Sequence, residues 1–204
     1  MDFSTLQKYG FKVALSSLLL VVLITSFVSS AQEDTQEELL EKRNQLQQNF
    51  LSLYDQERYQ QSILTASEIL NITQEIYGPE SQNLVNPLNN LASSYFMIGD
   101  FEQAIKIFIE CIDLIESNNI ISSDLVSPLV ALGLAFNKSE QYNEAVETFK
   151  RALHINWVNN GFYNLEQINI HDSLTESFIG LKNLEEANHH QNFQLGIYNN
   201  HFGK

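Results

Sequence analysis

The residues from Asn86 to Glu116, NPLNNLASSYFMIGDFEQAIKIFIECIDLIE, constrain the fold of this chain more than any other stretch. Leu88, Leu91, Ala92 and Tyr95 recur at helical spacing and form one apolar stripe. Gly99-Asp100 breaks that helix. A second stripe follows at once in Phe101, Ala104, Ile105, Phe108, Ile112 and Ile115. Two amphipathic helices joined by so short a turn must lie antiparallel, and neither can bury its stripe within a single pair. Such a unit requires neighbours.

The chain supplies them. Tyr59, Phe101, Tyr142 and Leu184 each open a second helix, at intervals of 42, 41 and 42 residues. Behind Tyr142, Ala145, Phe149, Ala152 and Leu153 match Ala104, Phe108, Cys111 and Ile112; ahead of it, Leu129, Leu132, Gly133 and Phe136 match Leu88, Leu91, Ala92 and Tyr95. This pattern resembles the tetratricopeptide repeat, in which small residues let two helices approach while aromatic knobs fill the groove. The match is closest over Leu88–Ile112 and Leu129–Leu153, looser over Leu174–Leu195 and loosest over Leu46–Leu70, where Glu57 takes the turn position of Gly99. The interval exceeds the usual figure of roughly 34 residues. The segment YGPESQNLVNPLNNLA is similar to the long-helix repeats of the kinesin light chain type. The resemblance covers most of the chain after residue 37. It implies an all-α, right-handed solenoid of about four helix pairs, near residues 37–77, 84–118, 125–156 and 166–198, the first a divergent N-terminal cap. It also implies a binding scaffold rather than an enzyme.

The first 31 residues read differently. Lys8 and Lys12 precede an apolar run from Val13 to Val28, and Ser29-Ser30-Ala31 leads into the acidic segment that begins at Gln32. A basic start, an apolar core and small residues before a polar stretch are the pattern of a secretory signal peptide, with cleavage expected after Ala31. The alternative is a retained anchor in the inner membrane, for which Phe11–Val28 is at the short end. Both readings put the body of the chain on the periplasmic side of a bacterial envelope, as a soluble scaffold or as a membrane-tethered chaperone or assembly factor. Membrane contact is expected only through an uncleaved N-terminal segment.

The net charge is −14 and the isoelectric point about 4.6. Without residues 1–31 the chain keeps 9 basic and 24 acidic groups, about −15. An acidic surface repels phosphate backbones, which argues against nucleic acid as a partner. Cys111 is the single cysteine, so no internal disulfide can form; it occupies a position facing the helix pair, as a buried thiol would.

In tetratricopeptide arrays the first helix of each pair lines a concave groove, and the resemblance carries that role onto named positions. In the second pair they are Asn86, Asn89, Asn90, Ser93, Phe96 and Met97. In the third they are Ser127, Val130, Ala131, Leu134, Asn137 and Lys138, and in the last Asn169, Asp172, Ser173, Glu176 and Ile179. The family's recurrent groove asparagine falls on Asn90, whose amide could both donate to and accept from a peptide backbone. Family members that clamp a C-terminal carboxylate use several cations, whereas this groove offers Lys138 and no arginine. The surface therefore suits an extended or helical peptide of few charges, held through amides and the apolar groups of Phe96, Met97, Val130 and Leu134. The partner is expected to be a protein or peptide, with no cofactor.

Two clusters could suggest chemistry. His171-Asp172-Ser173 has the residue types of a hydrolase triad, but consecutive side chains on a helix point about 100° apart and cannot converge on one atom. His189-His190, with His171 or His201, could suggest a metal site; adjacent helical histidines diverge likewise, and they are expected to be solvated. The sequence contains no glycine-rich phosphate loop, nucleophile elbow or zinc-protease motif. Asn156–Gln167 interrupts the regular spacing of apolar groups, and Trp157 is expected to pack within it.

Overall fold

The computed structural model describes residues 35–117 and 121–203. The chain divides into two compact units, 1–45 and 46–204. Residues 35–45, the described part of the first unit, are helical. The second unit is helical from its start to residue 55 (α1). It continues through α2 (Tyr59–Tyr77), α3 (Val85–Met97), α4 (Phe101–Glu116), α5 (Val126–Lys138), α6 (Tyr142–Asn160), α7 (Gln167–Gly180) and α8 (Leu184–Phe202). Among the described residues there is no strand, and no helix is long and apolar enough to cross a membrane. The expected signal peptide or anchor lies outside the described residues.

The beat read from the apolar residues reappears in the backbone. Glu57, Gly99, Glu140 and Lys182, spaced by 42, 41 and 42 residues, take left-handed φ values of 59°, 81°, 59° and 60° between the two helices of each pair. Each is followed by an N–H that reaches back five residues: Arg58 to the Leu53 carbonyl, Asp100 to Tyr95, Gln141 to Phe136 and Asn183 to Phe178, at 2.8–3.0 Å. This is the Schellman closure, and it satisfies the last carbonyls of the first helix. Glu57 makes the same turn as Gly99 without being glycine, so the first pair is not divergent at its turn.

The entrances to the first helices repeat as well. Ser81 accepts the Asn83 N–H at 3.2 Å, Ser122 the Asp124 N–H at 3.3 Å and Asn164 the Glu166 N–H at 3.1 Å, at intervals of 41 and 42 residues. In each case a side-chain oxygen takes up a donor that the helix start would leave unpaired. At the far end of the pairs, Gly78 closes α2 and Gly161 closes α6, both in the left-handed region. The helix α6 runs to Asn160 and α8 to Phe202, beyond the ends expected at 156 and 198.

Packing follows the repeat. Leu88 and Leu129, Ala104 and Ala145, Phe108 and Phe149, and Cys111 and Ala152 are buried at equivalent levels. Gly133 explains how α5 and α6 come together: a Cβ there would stand 2.6 Å from the Phe149 ring. Buried hydrogen bonds tie one pair to the next, Ser62 Oγ to Ser94 Oγ at 2.9 Å and Ser177 Oγ to Asn137 Oδ1 at 2.8 Å. The helix α3 touches α5 and α5 touches α7, so the first helices line up along the inner side of the stack.

Candidate functional site: the inner face of the first helices

Two of those helices and the end of α1 enclose a small apolar cavity. Ser93, Phe96 and Met97 of α3 and Ala131 and Leu134 of α5 line it together with Tyr54 of α1 and Phe108 of α4, around a volume of about 180 Å³. Phe108 is the buried floor and Met97 is exposed at the rim. The Phe96 ring lies 5.4 Å from Phe101 across the turn, and Tyr54 stands in the same relation to Tyr59 at 5.3 Å. Each inner-face ring is thus held by the first ring of the following helix, which fixes its orientation. Burial, then the neighbouring Tyr59, pushes the Tyr54 phenol above its ordinary pKa, so the group enters the cavity as a neutral hydroxyl.

The other expected groove residues divide by location. Asn86 and Asn89 line a separate, polar cleft of about 490 Å³ where α3 and α5 begin, shared with Gln82, Ser123, Asp124 and Ser127. Within it the Asn89 Oδ1 is buried without a hydrogen-bond partner. Asn90 and Val130 are half-buried, and Val130 packs against the core. Asn137 corrects the expectation: it is only 5% exposed, donates to the Ser173 carbonyl at 3.4 Å and accepts from Ser177. It joins α5 to α7 instead of facing a ligand. Lys138 is exposed and pairs with Glu176 at 3.7 Å, so its charge is already matched across the groove. Among the described residues, this face then holds no arginine and no cluster of cations for a carboxylate clamp.

Residues 51–117 and 126–156 each match a family model described as tetratricopeptide repeat. Over those residues the chain carries tetratricopeptide repeats. Similar solved structures carry the same fold at low identity. BtubC (BKLC) of P. vanneervenii is 15% identical with a TM-score of 0.69, over 77% of this chain and 62% of that one. A kinesin light chain-like protein of Podosopora anserina, built of nearly identical TPR-like repeats, is 13% identical with a TM-score of 0.68, over 76% and 74%. Aspartyl phosphate phosphatase F of Bacillus subtilis is 19% identical with a TM-score of 0.68, over 78% of this chain but 41% of its own length. At such identities the likeness is one of fold. Among curated proteins no sequence matches the chain. The repeat architecture is one that generally binds protein partners.

His189 and His201 are exposed as expected, but His171 and His190 depart from expectation. His171 and His190 are 3% and 8% exposed rather than solvated, and their Nδ1 atoms lie 2.8 Å apart. Phe193 stacks on His171 at 4.6 Å between ring centroids, and Phe178 on His190 at 5.4 Å. Burial first, then His190 and His189, pushes the His171 pKa down to about 4, against a smaller opposing pull from Asp172. Burial and then His189 also lower His190. Both are therefore neutral at pH 7 and share one proton between facing nitrogens. The periodicity that set the other helices gave no sign of this pair, because its members come from different helices 19 residues apart.

The triad reading fails on contacts too. Ser173 Oγ donates to the Asn169 carbonyl at 2.9 Å, and Asp172 accepts from Gln194 at 2.6 Å, so neither serves His171. Cys111 is fully buried, and burial followed by Glu110 pushes its thiol up to about 12, which keeps it protonated and inert. Trp157 packs against Phe162 at 3.5 Å between centroids.

Proposed function

We propose that the chain is a non-enzymatic scaffold that holds a partner protein or peptide against the inner face of its first helices, and that it works in the bacterial periplasm. The cavity between Tyr54, Phe96, Met97 and Leu134 carries the binding part of this reading. It is open, it is lined almost wholly by carbon, and its volume fits one bulky apolar side chain. A peptide anchored there would run past the amide of Asn90 towards the polar cleft at Asn86 and Asn89, where the unpartnered Asn89 Oδ1 could accept a backbone N–H. The paired state of Lys138 and Glu176 supports a ligand of few charges.

The test is the double substitution Asn90→Ala with Phe96→Ala, read by the affinity of partners captured from the native envelope. A drop of tenfold or more supports the inner face as the docking surface; unaltered affinity for every partner moves binding elsewhere. Export rests on the basic, apolar and small-residue order of residues 1–31. A mature N-terminus at Gln32 in the soluble periplasmic fraction supports it. Retention of those residues in the membrane fraction favours the tethered assembly-factor alternative, and a cytoplasmic protein overturns both.

A further inference from the structure

The outer face of α8 repeats positions that earlier pairs use to meet their successor. Ile115 lines the polar cleft with Ser127 and Pro128 of the following pair, and Asn156 is hydrogen-bonded to Asn164 and Glu166 at the entrance to α7. The equivalent residue on α8, 42 residues after Asn156, is Tyr198. One turn earlier, Ile112 is buried and Leu153 half-buried, and their counterpart is Leu195. On α8 nothing among the described residues covers them: Leu195 is 56% exposed, Tyr198 49% and Phe202 65%. With Leu184, Asn188 and Gln191 they recur at spacings of four and three, the spacing of a helix–helix seam.

We propose that this face of α8 docks against the same face of a second copy, helix against helix across a two-fold axis. Charge selects the occupant. Two copies at −14 repel one another over most of their surfaces, but from Ala187 to Phe202 α8 carries no Asp, Glu, Lys or Arg. Here two acidic molecules can touch without opposing like charges. A two-fold contact closes on itself, whereas stacking α8 on a different face of the next copy would propagate into filaments. The size is adequate for reversible pairing: with residue areas of about 150–250 Å², the four large side chains expose roughly 450 Å² per copy. Two copies, with the flanking amides, then approach the roughly 1,000 Å² that separates specific interfaces from casual contacts. Asn188 and Gln191 within the seam would set its register, since each leaves an amide unpaired if the helices slip.

The experiment is mass measurement by light scattering across a concentration series, for the unaltered protein and for Leu195→Glu with Tyr198→Glu. Both substitutions fall on exposed positions, and circular dichroism checks that the helices persist. The expected result is a concentration-dependent doubling of mass that the double variant abolishes. A second measurement uses disulfide trapping, for which the buried Cys111 gives a silent background. Leu195→Cys should form a covalent dimer under mild oxidation, and Leu64→Cys, exposed on α2, should not. A monomer at the highest soluble concentration with no trapping at Leu195→Cys overturns the proposal. So does a dimer that survives the double variant, which would place association on another face or on the N-terminal segment, and so does equal trapping at Leu64→Cys.

Discussion

The Nδ1 atoms of His171 and His190 face each other at 2.8 Å inside the last helix pair, with the Nε2 of His171 buried and unpartnered. An unpaired buried N–H costs more than an unpaired lone pair, so the favoured arrangement has His171 donating Nδ1–H to His190. Protonating the pair would either set two N–H groups against each other or force a proton onto the orphaned Nε2.

The fold should therefore lose stability in acid. The unfolded histidines titrate near 6.5 and folded His171 near 4, so in that window the unfolded chain binds more protons and stability rises with pH. The contribution is complete above about 6.5 and lost as pH falls to about 4, on the order of 3 kcal/mol for His171. Neighbouring charges shape the transition: Lys150 on α6 and His189 on α8 oppose protonation, while Asp172 on α7 and Glu186 on α8 favour it. Urea midpoints between pH 4 and 8 check this, and His171→Phe should flatten the slope across the window.

Gly133→Ala should destabilise the third pair by about 1–3 kcal/mol, because the new methyl would stand 2.6 Å from the Phe149 ring in a packed core. A thermal unfolding curve reads it. The companion change Phe149→Leu should recover part of the loss in the double variant, since it removes the ring edge that collides.

The repeat turns favour glycine at equivalent sites, so removing it and introducing it should have opposite effects. Gly99→Ala places a Cβ at φ 81° and should cost about 1 kcal/mol. Glu140→Gly and Lys182→Gly relieve the left-handed strain of side-chain-bearing residues at φ 59° and 60°, and should be neutral or stabilising by up to about 1 kcal/mol. Chemical denaturation of the three variants side by side decides whether the backbone or the side chain dominates there.

Cys111 should be invisible to thiol reagents in the folded state and labelled at once in denaturant, because it is fully buried and its thiol is held protonated. Labelling at the folded-state rate of a free thiol would mean that the second pair opens readily.

Most of the architecture was legible because it depends on one interval. The stripe from Leu88 to Tyr95, the turn at Gly99 and the second stripe from Phe101 reappear about 42 residues on, and the backbone turns obey the same count. The cavity was legible in part. Ser93, Phe96, Met97 and Leu134 converge, but Tyr54 was missed although it precedes Phe96 by 42 residues, because Glu57 made its pair look irregular. Asn137 follows Phe96 by 41 residues and yet turns inward, drawn by Ser177 from the neighbouring pair. The His171–His190 contact left no periodic trace: both are polar residues buried by partners on another helix, and only the folded packing brings them together.

The proposed docking of a partner's side chain on the inner face around Tyr54, Phe96, Met97 and Leu134 can be tested head-on. The direct measurement is a displayed peptide library selected on the unaltered protein, with each winner's affinity then determined for Met97→Asp combined with Leu134→Asp. The expected winners share one bulky apolar residue, lose at least tenfold in affinity on the variant, and shift the resonances of Ser93, Phe96 and Ala131 when bound. Peptides that bind the variant as tightly, or that perturb only the outer surfaces of α2, α4 and α6, would contradict it.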